Sequence, residues 1–267
     1  IGGRAAGMGG AYSAICHDAT SSYWNPAGVM RGNGRDVVMH HNEHFQGLRQ
    51  EFLGVSITEE SQGFGLSMSG LWVDGLELRR MAQAEPDGYF RAYDFSFSLS
   101  YARNLSPEFT LGFTLKGLHE RIFFYTATGW ALDIGGYYVT PVRGLSVGAV
   151  VQNLGPKFRF EEHELRLPNT YRLGLGYNLP RPLFRGEVLF TADGVKSIDS
   201  PVRANLGLES SYGRALKLRA GYRVRYDSQD IGLGVGFAFG PCSLDYAYVP
   251  YAYDLGSAHL FTLGISY

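Results

Sequence analysis

Tyr93-Asp94-Phe95-Ser96-Phe97-Ser98-Leu99-Ser100-Tyr101 alternates without a break between a bulky apolar residue and a small polar one. Successive side chains on a strand point to opposite faces, so this stretch reads as a β-strand with one greasy side and one polar side. The alternation recurs. Phe109, Leu111, Phe113 and Leu115 oppose Thr110, Gly112, Thr114 and Lys116, and Tyr171, Leu173, Leu175 and Tyr177 oppose Arg172, Gly174, Gly176 and Asn178. Leu216, Leu218, Ala220, Tyr222 and Val224 oppose Lys217, Arg219, Gly221, Arg223 and Arg225. Segments of this kind fall near residues 35–44, 48–57, 62–73, 93–103, 108–119, 128–139, 144–152, 169–179, 184–194, 202–212, 215–225, 230–239, 242–249 and 258–267. About fourteen strands, each of roughly ten residues, match what a tilted strand needs to cross a bilayer.

The connections sort into two kinds. Asn104–Pro107, Thr140–Gly144, Pro180–Leu183 and Gly240-Pro241 are short and rich in Pro and Gly, as is the turn Gly32-Asn33-Gly34 before the first strand. Longer loops are expected near 74–92, 153–168 and 250–257. Short turns on one side and longer loops on the other suit an antiparallel transmembrane β-barrel, and an even strand count returns both termini to one side, expected to be periplasmic. Aromatics gather at the ends of the greasy faces (Tyr93, Tyr101, Tyr171, Tyr177, Trp72, Trp130, Tyr138, Tyr212, Tyr226 and Tyr267), as girdles at two membrane interfaces would. These girdles weigh against the alternative, a soluble β-sandwich whose greasy faces meet.

Composition agrees. The 267 residues carry 24 Lys plus Arg against 25 Asp plus Glu, a net charge of -1 that gives nucleic acid no basic field to bind. No run approaches ~18 consecutive apolar residues, which excludes a membrane-spanning helix and leaves a barrel open, since alternation hides apolar positions from averaged hydropathy.

Residues 1–34 read differently from the rest. Glycines crowd the first ten positions, Ala11, Ala14 and Ile15 fall at helical spacing, and Asn25 ahead of Pro26 starts a further turn. Such a piece is too small to fold alone and must pack into something. Its motif, Gly3-Arg4 with Gly7-Met8-Gly9-Gly10-Ala11-Tyr12, then Asp18-Ala19, then Asn25-Pro26-Ala27-Gly28, resembles the opening of the PorV/PorQ proteins in the FadL-like superfamily of outer-membrane barrels. The resemblance implies an N-terminal plug over residues 1–34 with motif positions Gly7, Gly9, Gly10, Asp18, Asn25, Pro26 and Gly28, seated in a barrel over 35–267. It also implies that a signal peptide has been removed or lies outside this sequence. The last strand places Phe261, Leu263, Ile265 and Tyr267 on one face, resembling the C-terminal aromatic signal of outer-membrane proteins.

Motifs for chemistry are weak. His40-His41-Asn42-Glu43-His44 invites a metal, yet on a strand His40 and His44 lie ~13 Å apart and His41 points the other way, so a polar strand end is expected instead. Gly144-Leu145-Ser146-Val147-Gly148 matches the serine-hydrolase pattern but sits in an alternating strand rather than a strand-to-helix elbow. No enzyme activity, metal or cofactor is expected. Cys16 in the plug and Cys242 at the start of a strand both fall toward the periplasmic end, with two readings: a disulfide pinning plug to wall, or two separate thiols. Lys116, Asp133, Arg172, Glu187, Arg203, Glu209, Lys217, Arg219, Arg223 and Asp245 project into the lumen if the greasy face meets lipid, and mixed charge suggests salt bridges between wall and plug. Trp72, Leu76, Leu78, Met81, Tyr89 and Phe90 surround charged residues in the longest expected loop, either as a surface for a protein partner or as a self-packed cap.

Three functions follow: a non-enzymatic subunit or substrate-docking partner of a type IX-like secretion or envelope complex, as the resemblance implies; a FadL-like channel for hydrophobic small molecules; or a scaffold for a surface assembly. The expected partners are outer-membrane lipid and other envelope or secretion proteins, with hydrophobic small molecules in the second reading.

Overall fold

The computed structural model describes residues 1–267 except 33, 161–162, 183–185, 199 and 214. Asn33 of the first expected turn, Leu183 of the third, and the first two residues of the strand expected from 184 therefore lie outside the described residues. The chain opens with helix α1 (Gly3–Gly7), a helical turn α2 (Ser21–Trp24) and a 3-10 turn (Pro26–Arg31). There follow β1 (Arg35–Glu43), β2 (Arg49–Thr58), β3 (Gln62–Leu78), β4 (Gly88–Asn104), β5 (Phe109–Ile122), β6 (Tyr125–Val139) and β7 (Leu145–Leu154). A small separate hairpin pairs β8 (Phe158–Phe160) with β9 (His163–Leu165). The wall resumes with β10 (Thr170–Asn178), β11 (Glu187–Ser197), β12 (Arg203–Tyr212), β13 (Leu216–Val224), β14 (Ile231–Phe239), β15 (Cys242–Pro250) and β16 (Ser257–Ser266).

Every strand but β8 and β9 joins one closed antiparallel barrel of fourteen strands. β7 pairs directly with β10, and β1 seals against β16 with Val38 opposite Gly264 and His40 opposite Thr262. Closure gives each wall strand a hydrogen-bonded neighbour on both sides, the condition for a sheet to sit in hydrocarbon.

The faces follow the alternation. On β4, Leu99 is 60% exposed while Ser98 is 7% exposed, and on β5 Phe113 and Leu115 face out while Thr114 and Lys116 are buried. Phe95, Leu175, Leu206, Leu218, Leu233, Phe237 and Leu263 all lie on the exposed side. A protein with its bulky apolar residues outside and its arginines inside is stable only where hydrocarbon bathes the exterior, so this is a transmembrane barrel. Tyr226 departs from the expected girdle: it lies under Arg203, whose guanidinium carbon is 4.7 Å from the ring centroid.

The strands are longer than expected on one side. The loop expected near 74–92 is mostly sheet, because β3 and β4 stay paired from Leu76 with Phe90 to Leu78 with Gly88, beyond a bulge between Val73 and Leu76. Gly75, at φ 72°, takes the left-handed conformation this bulge requires, and the extra residue breaks the alternation that marks a strand. β5 and β6 likewise extend to Ile122 opposite Tyr125. The core lies in the lumen rather than between sheets: Met8, Tyr12, Ala14, Ile15 and Trp24 of the N-terminal segment cluster with Leu189 of β11.

Leu175→Arg, a charge on the hydrocarbon side, is expected to lower the unfolding free energy in lipid vesicles by ~2–4 kcal/mol. Equilibrium urea unfolding of the reconstituted chain measures it, and an unchanged midpoint would count against a lipid-facing exterior.

Candidate functional site

The N-terminal segment is the feature that fills the barrel, and its local structure follows from few residues. Helix α1 has five residues, too few to hold together without tertiary contacts. Gly9 and Gly10, at φ 65° and 77°, then reverse the chain. Asp18 Oδ1 accepts the Thr20 N–H at 2.8 Å and so leads into α2. Asn25 Oδ1 accepts the Ala27 N–H at 3.1 Å, with Pro26 at the first position of the 3-10 turn. The Asn25 amide also donates to Ser13 O at 2.8 Å and to Gly136 O on the wall at 3.1 Å, so one side chain ties the segment to itself and to β6. Gly28 lies against Cys16, where an added Cβ would stand 2.6 Å from Sγ.

The wall makes room for this backbone by omitting side chains. A Cβ on Gly221 of β13 would collide with Gly9 N, one on Gly148 of β7 with Ser13 O, and one on Gly135 of β6 with Asn25 Oδ1. Gly112, Gly207 and Gly232 likewise face segment backbone and Gly174 faces the Ser13 hydroxyl, so glycines on seven strands from β5 to β14 make room for the segment. At β11 the series is interrupted by Asp193, which stands opposite Gly174 and Asn205. Its Oδ2 accepts the N–H groups of Tyr12 and Ser13 at 3.2 and 3.1 Å. Other wall groups take up the remaining backbone: Gly3 N–H donates to Thr262 Oγ1 at 2.8 Å, Gln152 to Tyr23 O at 2.6 Å, Thr58 to Val29 O at 2.7 Å, and Ser146 to Ala14 O at 3.2 Å. Ser146 of the hydrolase-like pattern is therefore a segment-to-wall contact.

The charges form a buried network. Arg4 donates from Nε and Nη2 to the two oxygens of Glu209, both at 2.8 Å. Arg219 Nε reaches the same carboxylate at 2.6 Å, and its Nη1 reaches Asp245 at 2.5 Å. Two cations and two anions close on one another with little water, and removing one member of such a set typically costs ~3–5 kcal/mol because the others remain buried. Burial works against the charge on Arg4, and Glu209 more than offsets it, so its pKa is raised. His17 Nδ1 lies 3.1 Å from Arg4 Nη1; burial first, and Arg4 second, pull the His17 pKa down to about 4.

The other charges of the polar face also lie on the lumen side. Lys116 and Asp133 pair within the wall at 2.6 Å, Arg172 and Arg223 reach the segment, Arg203 covers Tyr226, and Glu187 stands at the mouth nearest the termini. Asp193, Asn205 and Thr262 were not singled out by sequence, although an acid on the inward side of an otherwise uncharged run, Leu189 to Val195, was a signal available for the first of them.

Cys16 and Cys242 are free thiols, so the disulfide reading is corrected. Cys16 Sγ turns into the segment's own interior toward Ser13 O and Asn25 O, at 3.9 and 3.7 Å, and burial pushes its pKa up to about 12. Cys242 instead lines the mouth beside Pro241. The histidine cluster divides between faces: His40 points inward to Thr262 Oγ1 at 3.0 Å, His41 outward to Glu51 at 2.6 Å, and His44 meets the Tyr251 hydroxyl at 2.9 Å. In the expected partner region Met81 and Tyr89 are exposed, at 74% and 68%. Trp72, Leu76, Leu78 and Phe90 are half-buried, Trp72 stacking on Phe95 and Phe90 meeting Phe123. Arg79 holds Glu77 at 2.8 Å and Arg80 N–H holds Asp87 at 2.7 Å, which gives the tip a fixed shape.

The segment divides the lumen. Toward the termini a cavity of about 700 Å³ is lined by Arg4, His17, Arg31, Arg143, Glu187 and Lys217. Toward the longer loops a chamber of about 180 Å³ remains. A third concavity of about 780 Å³ lies on the outer wall among Met39, Leu53, Met68, Trp72, Phe95 and Phe261.

The family described as type IX secretion system protein PorV matches residues 1–180. No curated protein matches the chain significantly. Among solved structures, the CymD monoaromatic hydrocarbon channel is similar with a TM-score of 0.67 and 15% identity, over 100% of this chain and 96% of that one. The toluene transporter TodX of Pseudomonas putida has a TM-score of 0.67 and 13% identity, over 100% and 97%. The outer membrane protein Omp33 of Acinetobacter baumannii has a TM-score of 0.54 and 6% identity, over 88% and 98%. At these identities the likeness concerns the fold, an outer-membrane barrel.

Gly221→Val would force a side chain into the Gly9 backbone. Overpacking of ~1–3 kcal/mol is expected to speed trypsin cleavage after Arg4 or Arg31 by about tenfold, read by mass spectrometry of the detergent-solubilised barrel. Docking of the segment is also pH-dependent. An undocked His17 returns to its ordinary pKa of ~6.5 and binds protons that the docked form, with its pKa of about 4, refuses. Seating is therefore constant with respect to His17 above pH ~6.5 and weakens as pH falls toward 4, and His17→Gln should flatten that part of the trypsin pH profile.

Proposed function

Because this chain belongs to the PorV family, we propose that it is a non-enzymatic outer-membrane subunit or docking partner of a type IX-like secretion or envelope complex. Residues 1–34 act as a seated plug in a barrel of residues 35–267, with both termini in the periplasm and the extended β3–β4 and β5–β6 arms at the cell surface. The observation that carries this reading is the seating itself. A segment set against bare glycines on seven strands and fixed by a four-charge network is a filling, not a conduit, and it leaves the exterior and the arms as the surfaces that do work.

Exposed Met81 and Tyr89 at the top of the β3–β4 arm supply the kind of residues enriched in the centres of protein interfaces. Tyr89 is paired with Glu77 in the sheet and the Arg80 N–H to Asp87 bond closes the tip that carries Met81, which lowers the entropy cost of docking. Hydrophobic uptake is the second reading, favoured by the fold shared with the monoaromatic hydrocarbon channel CymD and the toluene transporter TodX, and a scaffold role in a larger assembly is the third.

Purification from native membranes in mild detergent separates them. The docking reading expects stoichiometric secretion or envelope proteins with the intact chain, and a loss of about tenfold or more for the double variant Met81→Glu, Tyr89→Glu, since anchor residues of an interface are each worth ~2 kcal/mol or more. Undiminished recovery with the double variant would overturn the role of the arm, and a chain purified alone with acyl chains in its lumen would favour uptake.

A further inference from the structure

The two faces of the sheet exchange character where β3, β4 and β5 rise above the rest of the wall. On β4 the lumen face carries Ser98 and Ser96, and the next residues of the same parity are Asp94, Ala92 and Phe90. On β5 that face runs from buried Lys116 through Leu118 and Glu120 to Ile122. Strand pairing carries the apolar upper part across the sheet: Val73, Ala92 and Ile122 form one row, and Leu76 lies opposite Phe90. The opposite face, apolar lower down at Phe95 and Phe97, becomes charged, with Arg91 paired to Asp74 and Arg79 to Glu77.

Lipid does not account for this exchange. Lower down, hydrocarbon surrounds the barrel and takes the bulky side chains; above, the apolar face is turned toward the barrel axis, where no hydrocarbon reaches it. Ile122 is 39% exposed, and Leu76, Phe90 and Ala92 are half-buried, so the face is incompletely covered. At its base Asp94 stands directly opposite Glu120, which sets their Cβ atoms ~4.5–5.5 Å apart. Like charges so placed repel. Among the described residues neither carboxylate has a hydrogen bond or an ion pair, and the titratable group that acts on Asp94, His119, lies on the other face against Tyr93.

We propose that this lumen-side face of β3, β4 and β5 docks an extended basic segment of a partner protein, with a lysine or arginine between Asp94 and Glu120 and apolar side chains on Ala92, Phe90 and Ile122. Asp94, Ala92 and Phe90 follow one another at ~7 Å, the spacing of alternate residues on an extended chain. The proposal rests on the docking reading above and names the occupant of a face distinct from Tyr89, which points outward opposite Glu77, and from Met81 at the tip. A free hydrocarbon lacks the charge, and anionic lipid carries the wrong sign.

Fluorescence anisotropy of a labelled peptide, Lys-Ser-Leu-Ser-Leu-Ser, tests it against the full chain in zwitterionic nanodiscs, with empty nanodiscs as the blank. Glu-Ser-Leu-Ser-Leu-Ser and Lys-Ser-Ser-Ser-Ser-Ser are the controls. Saturable binding is expected for the first peptide alone. The double variant Asp94→Asn, Glu120→Gln should weaken it by about tenfold or more, the usual worth of hydrogen bonds between charged groups. Ile122→Ser should also weaken it by about tenfold, from lost apolar burial, and it serves as the second test if the double variant fails to give a folded, heat-modifiable barrel. Asp74→Asn, on the outward face, should leave binding unchanged. No saturable binding by the unaltered chain would overturn the proposal, as would equal binding of the glutamate peptide or undiminished binding by a folded double variant. The docking reading is judged separately, by the proteins recovered from native membranes.

Discussion

Glu209 accepts from two guanidinium groups at once, one carried by the N-terminal segment and one by the wall, and the filling of the barrel depends on that shared carboxylate. Arg219 alone would leave Glu209 paired within the wall. Arg4 brings a second cation into the same buried space, and Asp245 on Arg219 supplies the second anion that keeps the set neutral. The segment thus completes the electrostatics of the lumen as well as occupying it, which explains how five helical residues with no core of their own hold a fixed position.

The glycine series complements the charges. Ion pairs fix the segment at one end, near Arg4, whereas Ser13, Asn25 and Ala27 lie against bare wall at Gly148, Gly135 and Gly112. Close backbone approach lets short side chains such as Asn25, Ser146 and Thr58 satisfy carbonyl and N–H groups that a thicker wall would hold out of reach. Where the segment sits the interior is filled, with an apolar cluster beside the ion pairs, and it opens on both sides. An outer-membrane barrel built in this way presents different chemistry to its two compartments: a mixed-charge cavity near the termini and a cationic chamber near the longer loops.

Much of this was legible in the residues. The alternation in Tyr93–Tyr101 and its repeats decides which side faces hydrocarbon, because a slip of one position would put every Phe and Leu into the lumen. The inward charges were legible by the same parity. The pairing of Arg4 with Glu209 was not, since strand periodicity says nothing about a residue outside the strands and the two are 205 positions apart. The bulge at Gly75 hid the upper part of β3 by breaking the period, and the cysteines misled because a shared end of the barrel does not fix the direction of a side chain. Tyr226 fitted a girdle by position along the strand but belongs to the interior through Arg203.

The bond from Gly3 to Thr262 spans 259 positions and joins the first helix to the last strand. That span bears on the order of assembly. The first helix acquires this partner only when β16 is in place, and the same strand also closes the cylinder on β1. Contacts of such long range must overcome loop-closure entropy before they contribute, which places them late in folding. Sealing the cylinder and completing the seat of its N-terminal segment therefore depend on the same strand, and a barrel lacking β16 would have neither a closed wall nor a finished interior.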